Sequence, residues 1–266
     1  MFYSEFLPAP PLKSLIHRYG IVEIEDAFRN PVKEKLAPLP GFCWLFTSAI
    51  QSPLYIEMAN KLSPLSPILE IPQNNRSTTI IHNGAFRMFY VRFMPGVHLK
   101  IEKAHGLKAD PAALYALFMQ NSPADAMVKF ADHYFISNQV EERVPDPTTL
   151  EAIKRIHSDA AFPLSNLSRD LFFSPRHLRR VFSLNTGVPL KAYQQIIRFS
   201  HCIQQLEQRK DLRIQDVAFQ NGFSDQTHFN KEFKLFTGLT PKQYLAGKYP
   251  LTTCMMWRDT DNAPGF

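Results

Sequence analysis

The chain has 266 residues, 45% of them hydrophobic, and a formal net charge of +6, which is room for about two domains with ordinary buried cores and excludes a disordered chain. No stretch approaches the roughly 18 uninterrupted apolar residues of a membrane span, and Met1-Phe2-Tyr3-Ser4-Glu5 lacks the basic-then-apolar order of a secretory signal. Cys43, Cys202 and Cys254 are far apart with no CxxC pair, which argues against a disulfide framework or a structural zinc site and for a soluble protein of a reducing cytoplasm.

Along the first hundred residues, prolines from Pro8 to Pro95 forbid long helices. Between them lie β-branched and aromatic runs at Ile21–Ile24, Phe42–Thr47, Leu54–Met58, Thr78–His82 and Phe86–Phe93. Such runs, bounded by Pro, Gly and Asn, predict strands of a β-rich sandwich or barrel. From Pro111 the pattern changes: Ala112–Gln120 and Ala124–Phe135 step their apolar residues by three and four, as helices closing that domain would. Val144-Pro145-Asp146-Pro147-Thr148 reads as a stiff boundary, after which helical periodicity runs to about residue 246.

Charge divides at the same place. Residues 1–149 hold 14 Lys+Arg and 14 Asp+Glu, residues 150–247 hold 14 against 8, and the tail 248–266 holds two of each. The whole basic excess lies in the helical part, as expected of a nucleic-acid reader joined to a neutral sensing or assembly domain.

That helical part contains one pattern twice. Leu167-Ser168 matches Val217-Ala218 at an offset of 50, and Leu178, Arg180, Phe182, Gly187, Lys191 and Tyr193 match Phe229, Lys231, Phe233, Gly238, Lys242 and Tyr244 at 51. The one-residue difference falls in or just after a turn. Each copy reads as a short helix, a turn and a second helix, over about 164–188 and 213–238, the helix-turn-helix arrangement that sets one helix in the major groove.

In the first copy Ser174 is placed as an N-cap and Pro175 as the first helical residue. At about 100° per residue, Leu178, Val181 and Phe182 share one face and Arg176, Arg179 and Arg180 the opposite one. In the second, Phe229, Phe233 and Phe236 form the apolar stripe; Thr227, Asn230 and Lys231 face away, with Gln226 at the helix start. Arg and Lys suit guanine or phosphate, and Gln and Asn suit adenine. Pro189 to about Gln208 forms a connecting helix of roughly 30 Å, against about 34 Å between successive major-groove segments.

With Val217-Ala218, Gly222-Phe223-Ser224-Asp225, Phe229, Phe233-Lys234, Gly238-Leu239-Thr240-Pro241 and Tyr244, residues 160–246 resemble the DNA-binding domain of the AraC/XylS family of bacterial transcription regulators. The resemblance implies a multidomain α+β protein: a β-rich, cupin-like sandwich or barrel with closing helices at 1–145 for effector sensing or dimerisation, an all-α domain of two helix-turn-helix units joined by a long helix at 150–247, and a tail at 248–266. It implies sequence-specific binding of double-stranded promoter or operator DNA through Arg176, Arg179, Arg180, Gln226, Thr227, Asn230 and Lys231. RNA polymerase, a small-molecule effector and a second copy of the chain are the further partners, with no cofactor, no metal and no membrane. Phe6-Leu7-Pro8-Ala9-Pro10-Pro11-Leu12 leading to Ile16 and Tyr19, and Val91-Arg92-Phe93-Met94-Pro95-Gly96, resemble more loosely the β-rich domain ahead of this unit in some members.

The first copy departs from the family pattern. Phe172 stands where the turn usually has glycine, and a bulky residue at positive φ is costly, so a rebuilt turn is expected there. Ser168 replaces alanine, Leu190 proline, Lys231 a frequent arginine, and Leu245 the arginine with which the second unit often ends.

No enzyme is expected. There is no Gly-rich phosphate loop, GxSxG elbow or HExxH, and His82, His98, His105 and His133 form no His-x-His metal set. Cys43 beside Trp44 sits in an apolar run, as a packing residue more than a nucleophile. Trp44, Phe46, Phe89 and Phe93 read either as core or as an aromatic pocket. Two other classes compete: a DNA-targeted enzyme such as a DNA-repair transferase, which needs reactive or zinc-binding cysteines near the N-terminus, and an architectural DNA-binding protein, against which the Gln/Thr/Asn face argues.

Overall fold

The computed structural model describes residues 2–49, 54–58, 61–71, 77–97, 111–138, 146–209, 212–247, 249 and 251. His98, His105, Cys254, the Val144-Pro145 part of the expected boundary and nearly all of the tail lie outside the described residues.

Seven antiparallel strands build the N-terminal sheet: β1 (Phe2–Phe6), β2 (Ile16–Leu36), β3 (Cys43–Ala49), β4 (Tyr55–Met58), β5 (Lys61–Pro64), β6 (Ile68–Ile71) and β7 (Thr78–Phe93). The order is β1-β2-β7-β3-β6, with β4 on β7 and β5 on β4. All five expected strand runs lie in or at the ends of these strands, but β2 and β7 are far longer than the runs suggest. Pro31 does not end β2. It falls between Ala27 and Val32, where the register against β7 shifts and no ladder bond is asked of it.

The sheet is apolar on both faces, and the two-residue period sorts its side chains into two cores. Tyr19, Trp44, Phe46, Phe89, Val91 and Phe93 join one cluster under helices α1 (Pro111–Met119) and α2 (Ala124–Ser137), with Leu114, Phe118, Met127 and Phe135. Val22, Ile24, Cys43, Leu45, Phe86 and Met88 join the other, with Leu54 and Ile56 from the β4 side. The aromatic quartet is therefore filled core: Trp44 meets Phe93 edge-on at 5.1 Å and stacks on Phe135 at 5.8 Å. Burial pushes the Cys43 thiol up to about 12, so it carries no thiolate at neutral pH.

Polar groups are buried here as bonded sets. His82 and Glu34 are both fully buried and 2.9 Å apart. Gly84 N–H donates to His82 Nδ1 at 3.2 Å, leaving Nε2–H to donate to Glu34 Oε1. Tyr90 OH donates to Glu5 Oε1 at 2.7 Å, with Arg92 Nη1 at 3.7 Å from the same oxygen. Gly20, opposite Tyr90 in the ladder, has no room for a Cβ, which would sit 2.1 Å from the ring.

The C-terminal region is helical: α3 (Pro147–Ser158), α4 (Leu164–Asp170), α5 (Pro175–Thr186), α6 (Leu190–Gln208), α7 (Ile214–Gln220), α8 (Gln226–Thr237) and α9 (Pro241–Ala246). They share one core, from Ile153 and Leu167 through Phe182 and Tyr193 to Phe229, Phe233 and Tyr244. The two halves exchange single residues. Ala37, just past β2, is buried in the helical core, and Leu251 is buried in the second sheet core. Lys35 lies against α8, its Cδ 3.5 Å from where a Cβ on Gly238 would stand; burial lowers its pKa.

Candidate nucleic-acid interface

The two copies repeat down to single hydrogen bonds. At the end of α5, Gly187 takes φ 72° and donates to Ser183 O; at the end of α8, Gly238 takes φ 77° and donates to Lys234 O, both at 2.9 Å. These are left-handed glycine caps. Thr186 Oγ1 lies 2.8 Å from Phe182 O and accepts from Val188 N–H; Thr237 Oγ1 lies 2.9 Å from Phe233 O and accepts from Leu239 N–H. Phe182 meets Tyr193 edge-on at 5.1 Å, as Phe233 meets Tyr244 at 5.6 Å. Tyr193 OH then bonds His157 Nε2 at 2.8 Å, and Tyr244 OH donates to Glu207 Oε1 at 2.6 Å.

The helix starts are capped by side chains. Ser174 Oγ accepts from His177 N–H at 3.2 Å. Asp225 Oδ1 accepts from His228 N–H at 2.8 Å, which holds its carboxyl below the usual range.

The turn ahead of α5 is not rebuilt. Phe172 adopts φ 56° where Gly222 adopts 75°, and the bonds coincide: Phe172 N–H to Arg169 O and Phe173 N–H to Ser168 O, against Gly222 N–H to Phe219 O and Phe223 N–H to Ala218 O. The turn geometry wins over the local preference because its two hydrogen bonds and the packing of α4 against α5 are set by the surrounding core. Phe172 takes the strain while 96% exposed, and Phe173 stacks on His177 at 4.8 Å.

All seven residues expected at the interface lie on α5 or α8, turned from the shared core. Arg176, Arg179 and Arg180 are exposed, as are Gln226, Thr227 and Lys231; Asn230 is half-buried. Arg179 Nε donates to Pro175 O at 3.0 Å, which lays its guanidinium along its own helix. Opposite them Leu178 and Phe182, and Phe229, Phe233 and Phe236, are buried.

A buried ion pair escaped the sequence reading. Glu232 on α8 accepts from Arg198 Nη2 on α6 at 3.0 and 3.1 Å and from Gln195 Nε2 at 3.3 Å, with the Arg198 guanidinium 4.2 Å over the Phe223 ring. It ties α8 to α6. The signal was a glutamate inside an apolar stripe; at the equivalent place α5 has Val181.

Comparison with known proteins bears on the same segment. A family model described as a helix-turn-helix domain matches residues 167–247. That match spans both the α4–α5 and the α7–α8 unit and makes this segment a helix-turn-helix domain. The transcriptional regulatory protein YesN of Bacillus subtilis is 33% identical over 75 residues, 28% of this chain and 20% of its own length. An HTH-type transcriptional regulator of Staphylococcus aureus is 35% identical over 97 residues, 36% of this chain and 13% of its own length. The chain thus spans a fifth or less of these relatives. Among solved structures, ToxT from Vibrio cholerae shares the fold with a TM-score of 0.55 and 12% identity, covering 92% of this chain and 98% of that one. A ToxT structure with an unsaturated fatty acid bound has a TM-score of 0.53, 12% identity, and covers 85% and 94%. No helix among the described residues is long and apolar enough to cross a membrane.

Proposed function

We propose that the protein is a non-enzymatic, AraC-type transcription regulator that reads two adjacent major-groove segments of a promoter with α5 and α8. The observation that carries this reading is the repeat: two helices with the same glycine C-caps and the same aromatic anchor, each with a polar face opposite its buried one, joined by α6. Its 19 residues span about 28 Å, close to the rise between successive groove segments on one face of a duplex. In this reading Arg176, Arg179 and Arg180 meet bases and phosphates in one segment, and Gln226, Thr227, Asn230 and Lys231 in the next. Each unit is a helix-turn-helix, and the domains run 1–145, 150–247 and 248–266.

The N-terminal half is a cupin-like sensing or dimerisation domain in the same reading, working in a reducing cytoplasm where Cys43 and Cys202 stay free. The two long bent strands favour a sheet that closes on itself as a sandwich or barrel. The likeness to a fatty-acid-bound ToxT chain supports a small-molecule effector. RNA polymerase is the remaining partner.

The test is footprinting of the full chain on a duplex it selects from random sequence. An asymmetric site of about 17–20 base pairs, protected over two successive groove segments, is expected. Protection of a single half-turn would remove one unit from the mechanism, and an absence of any selected sequence would end the reading.

A further inference from the structure

The second helix of each unit carries a histidine in its first turn, and the two stand in opposite electrostatic surroundings. His177 on α5 and His228 on α8 are equivalent at the offset of 51, as are the N-caps Ser174 and Asp225 and the residues Val181 and Glu232. Serine and valine in the first unit are thus aspartate and glutamate in the second. Each ring leans on a phenylalanine, His177 stacked on Phe173 at 4.8 Å and His228 edge-on to Phe223 at 5.3 Å.

The contacts of His228 select its protonation state. Ser224 Oγ lies 3.0 Å from Asp225 Oδ2 and 3.4 Å from His228 Nδ1. A hydroxyl has one proton, and the Asp225 carboxylate, which only accepts, takes it. The Ser224 oxygen is left to accept from Nδ1–H. On the other side Nε2 faces Glu232 Oε2 at 3.8 Å, again an acceptor. Either neutral tautomer turns a lone pair toward one of these oxygens; the imidazolium presents N–H to both. The charges agree. Around the ring stand two carboxylates, Asp225 and Glu232, and one guanidinium, that of Arg198, which reaches Glu232 from α6 at 3.0 Å and covers the Phe223 ring. One negative charge is in excess, and one proton balances it. Lys231, about 60° round the helix from His228, is exposed. At 3.8 Å the Glu232 contact is an ion pair and not a hydrogen bond, so Nε2–H keeps its capacity for an acceptor outside the chain.

We propose that His228 is a further DNA contact of α8, meeting a backbone phosphate as the imidazolium, and that binding by the second unit therefore takes up a proton. The ring lies in the first turn of the helix, the part a helix-turn-helix presents to the groove, with 47% of its side chain exposed. The carboxylates prepare the ring for the proton, and the phosphate completes its capture. The first unit makes the same approach with the permanent charges of Arg176, Arg179 and Arg180 and needs no proton. The inference rests on the DNA-binding function proposed above. Because the bound chain holds more protons than the free chain, affinity rises as pH falls through the range in which imidazole titrates.

The test measures the affinity of the full chain for a duplex it selects from random sequence, at constant ionic strength, from about pH 8 to about pH 6. Wild type is expected to tighten on the order of tenfold, the worth of one charge-assisted hydrogen bond. His228→Gln keeps a side-chain donor and loses the titration. Its affinity should not change with pH, and at the acid end its salt slope should be shallower than that of wild type by about one. Asp225→Asn, still a good N-cap, should reduce the pH dependence, and His177→Gln should retain it. A wild-type affinity that is flat with pH overturns the proton-linked contact and leaves the DNA-binding function standing. So does a His228→Gln chain that is weaker but keeps the wild-type pH dependence and salt slope, the signature of lost packing. Dependence that vanishes in His177→Gln moves the proton to the first unit and overturns the assignment likewise. A chain that selects no duplex overturns the proposed function with it.

Discussion

The two repeats end their second helices alike and anchor them differently. Both α5 and α8 close on a left-handed glycine, a threonine cap and an edge-on Phe–Tyr pair. Yet α8 is tied to α6 by the buried Glu232–Arg198 pair and lies against the N-terminal sheet at Lys35, whereas α5 has Val181 in place of the glutamate and a strained, solvated Phe172 in its turn. The second repeat is built into the molecule. The first reaches out from it with its arginines. A shape repeated by packing thus carries different chemistry on its two outward faces and different degrees of attachment behind them.

The largest expected effect breaks that anchoring. Glu232→Ala leaves Arg198 buried without its carboxylate and should cost about 3 kcal/mol, whereas Val181→Ala at the equivalent place should cost about 1 kcal/mol. Urea unfolding of the full chain measures both, and equal costs would erase the distinction between the repeats. Replacing the pair together, Glu232→Leu with Arg198→Met, should recover most of the loss.

The reading faces come next. Arg180→Ala should weaken binding by about 1–3 kcal/mol and relax preference at one or two base pairs of one half of the site, and Asn230→Ala should do so in the other half. Competition with single-base variants of the selected duplex resolves the two halves. Uniform weakening on every sequence, with a shallower salt dependence, would move the residue from base to phosphate.

The turns give a pair of opposite sign. Phe172→Gly should raise stability by about 1 kcal/mol by relieving a left-handed conformation. Gly222→Ala should lower it by more than that, since the new methyl meets both the same backbone penalty and Ala161. Thermal melts in parallel check the signs.

The smallest effect separates the caps by pH. Asp225 has a lowered pKa in the folded protein because its carboxylate accepts the His228 and Thr227 amides and the Ser224 hydroxyl. Its contribution is present above the unfolded carboxylate value near 3.8 and is lost as pH falls through the lower folded value. Ser174, a neutral cap, has no such dependence. The stability gap between wild type and Asp225→Ala should therefore close in acid, and that for Ser174→Ala should not. A gap at Asp225 that stays constant would show that the ionised cap is not what stabilises α8.

Much of the helical half was legible before any coordinates. The apolar steps at Leu178–Phe182 and Phe229–Phe233 and the Ser174-Pro175 start are local signals, because a helix writes its buried face and its start into consecutive residues. The outward placement of the seven residues proposed to meet DNA follows from the same angular argument: a residue opposite a buried stripe is turned from the core whatever the rest of the fold does. The sheet was legible only in its apolar runs. Short strands such as β1, β5 and β6 have no decisive pattern, and the length of β2 depends on whether a partner strand tolerates Pro31, which is a property of the ladder and not of the dipeptide.

By itself the sequence determined the repeat, the helix limits, the polarity of the outward faces of α5 and α8 and the concentration of positive charge in the helical half, since all of these are written in the order of residues along the chain. Tertiary structure decided the rest. It put Ala37 and Leu251 into each other's cores, turned Trp44, Phe46, Phe89 and Phe93 into filled core, paired Glu232 with Arg198 across 34 residues, and held Phe172 in a conformation its own side chain disfavours. Each of these is a contact between residues remote in the chain, and its energy depends on which partner the fold delivers, a quantity that no local pattern contains.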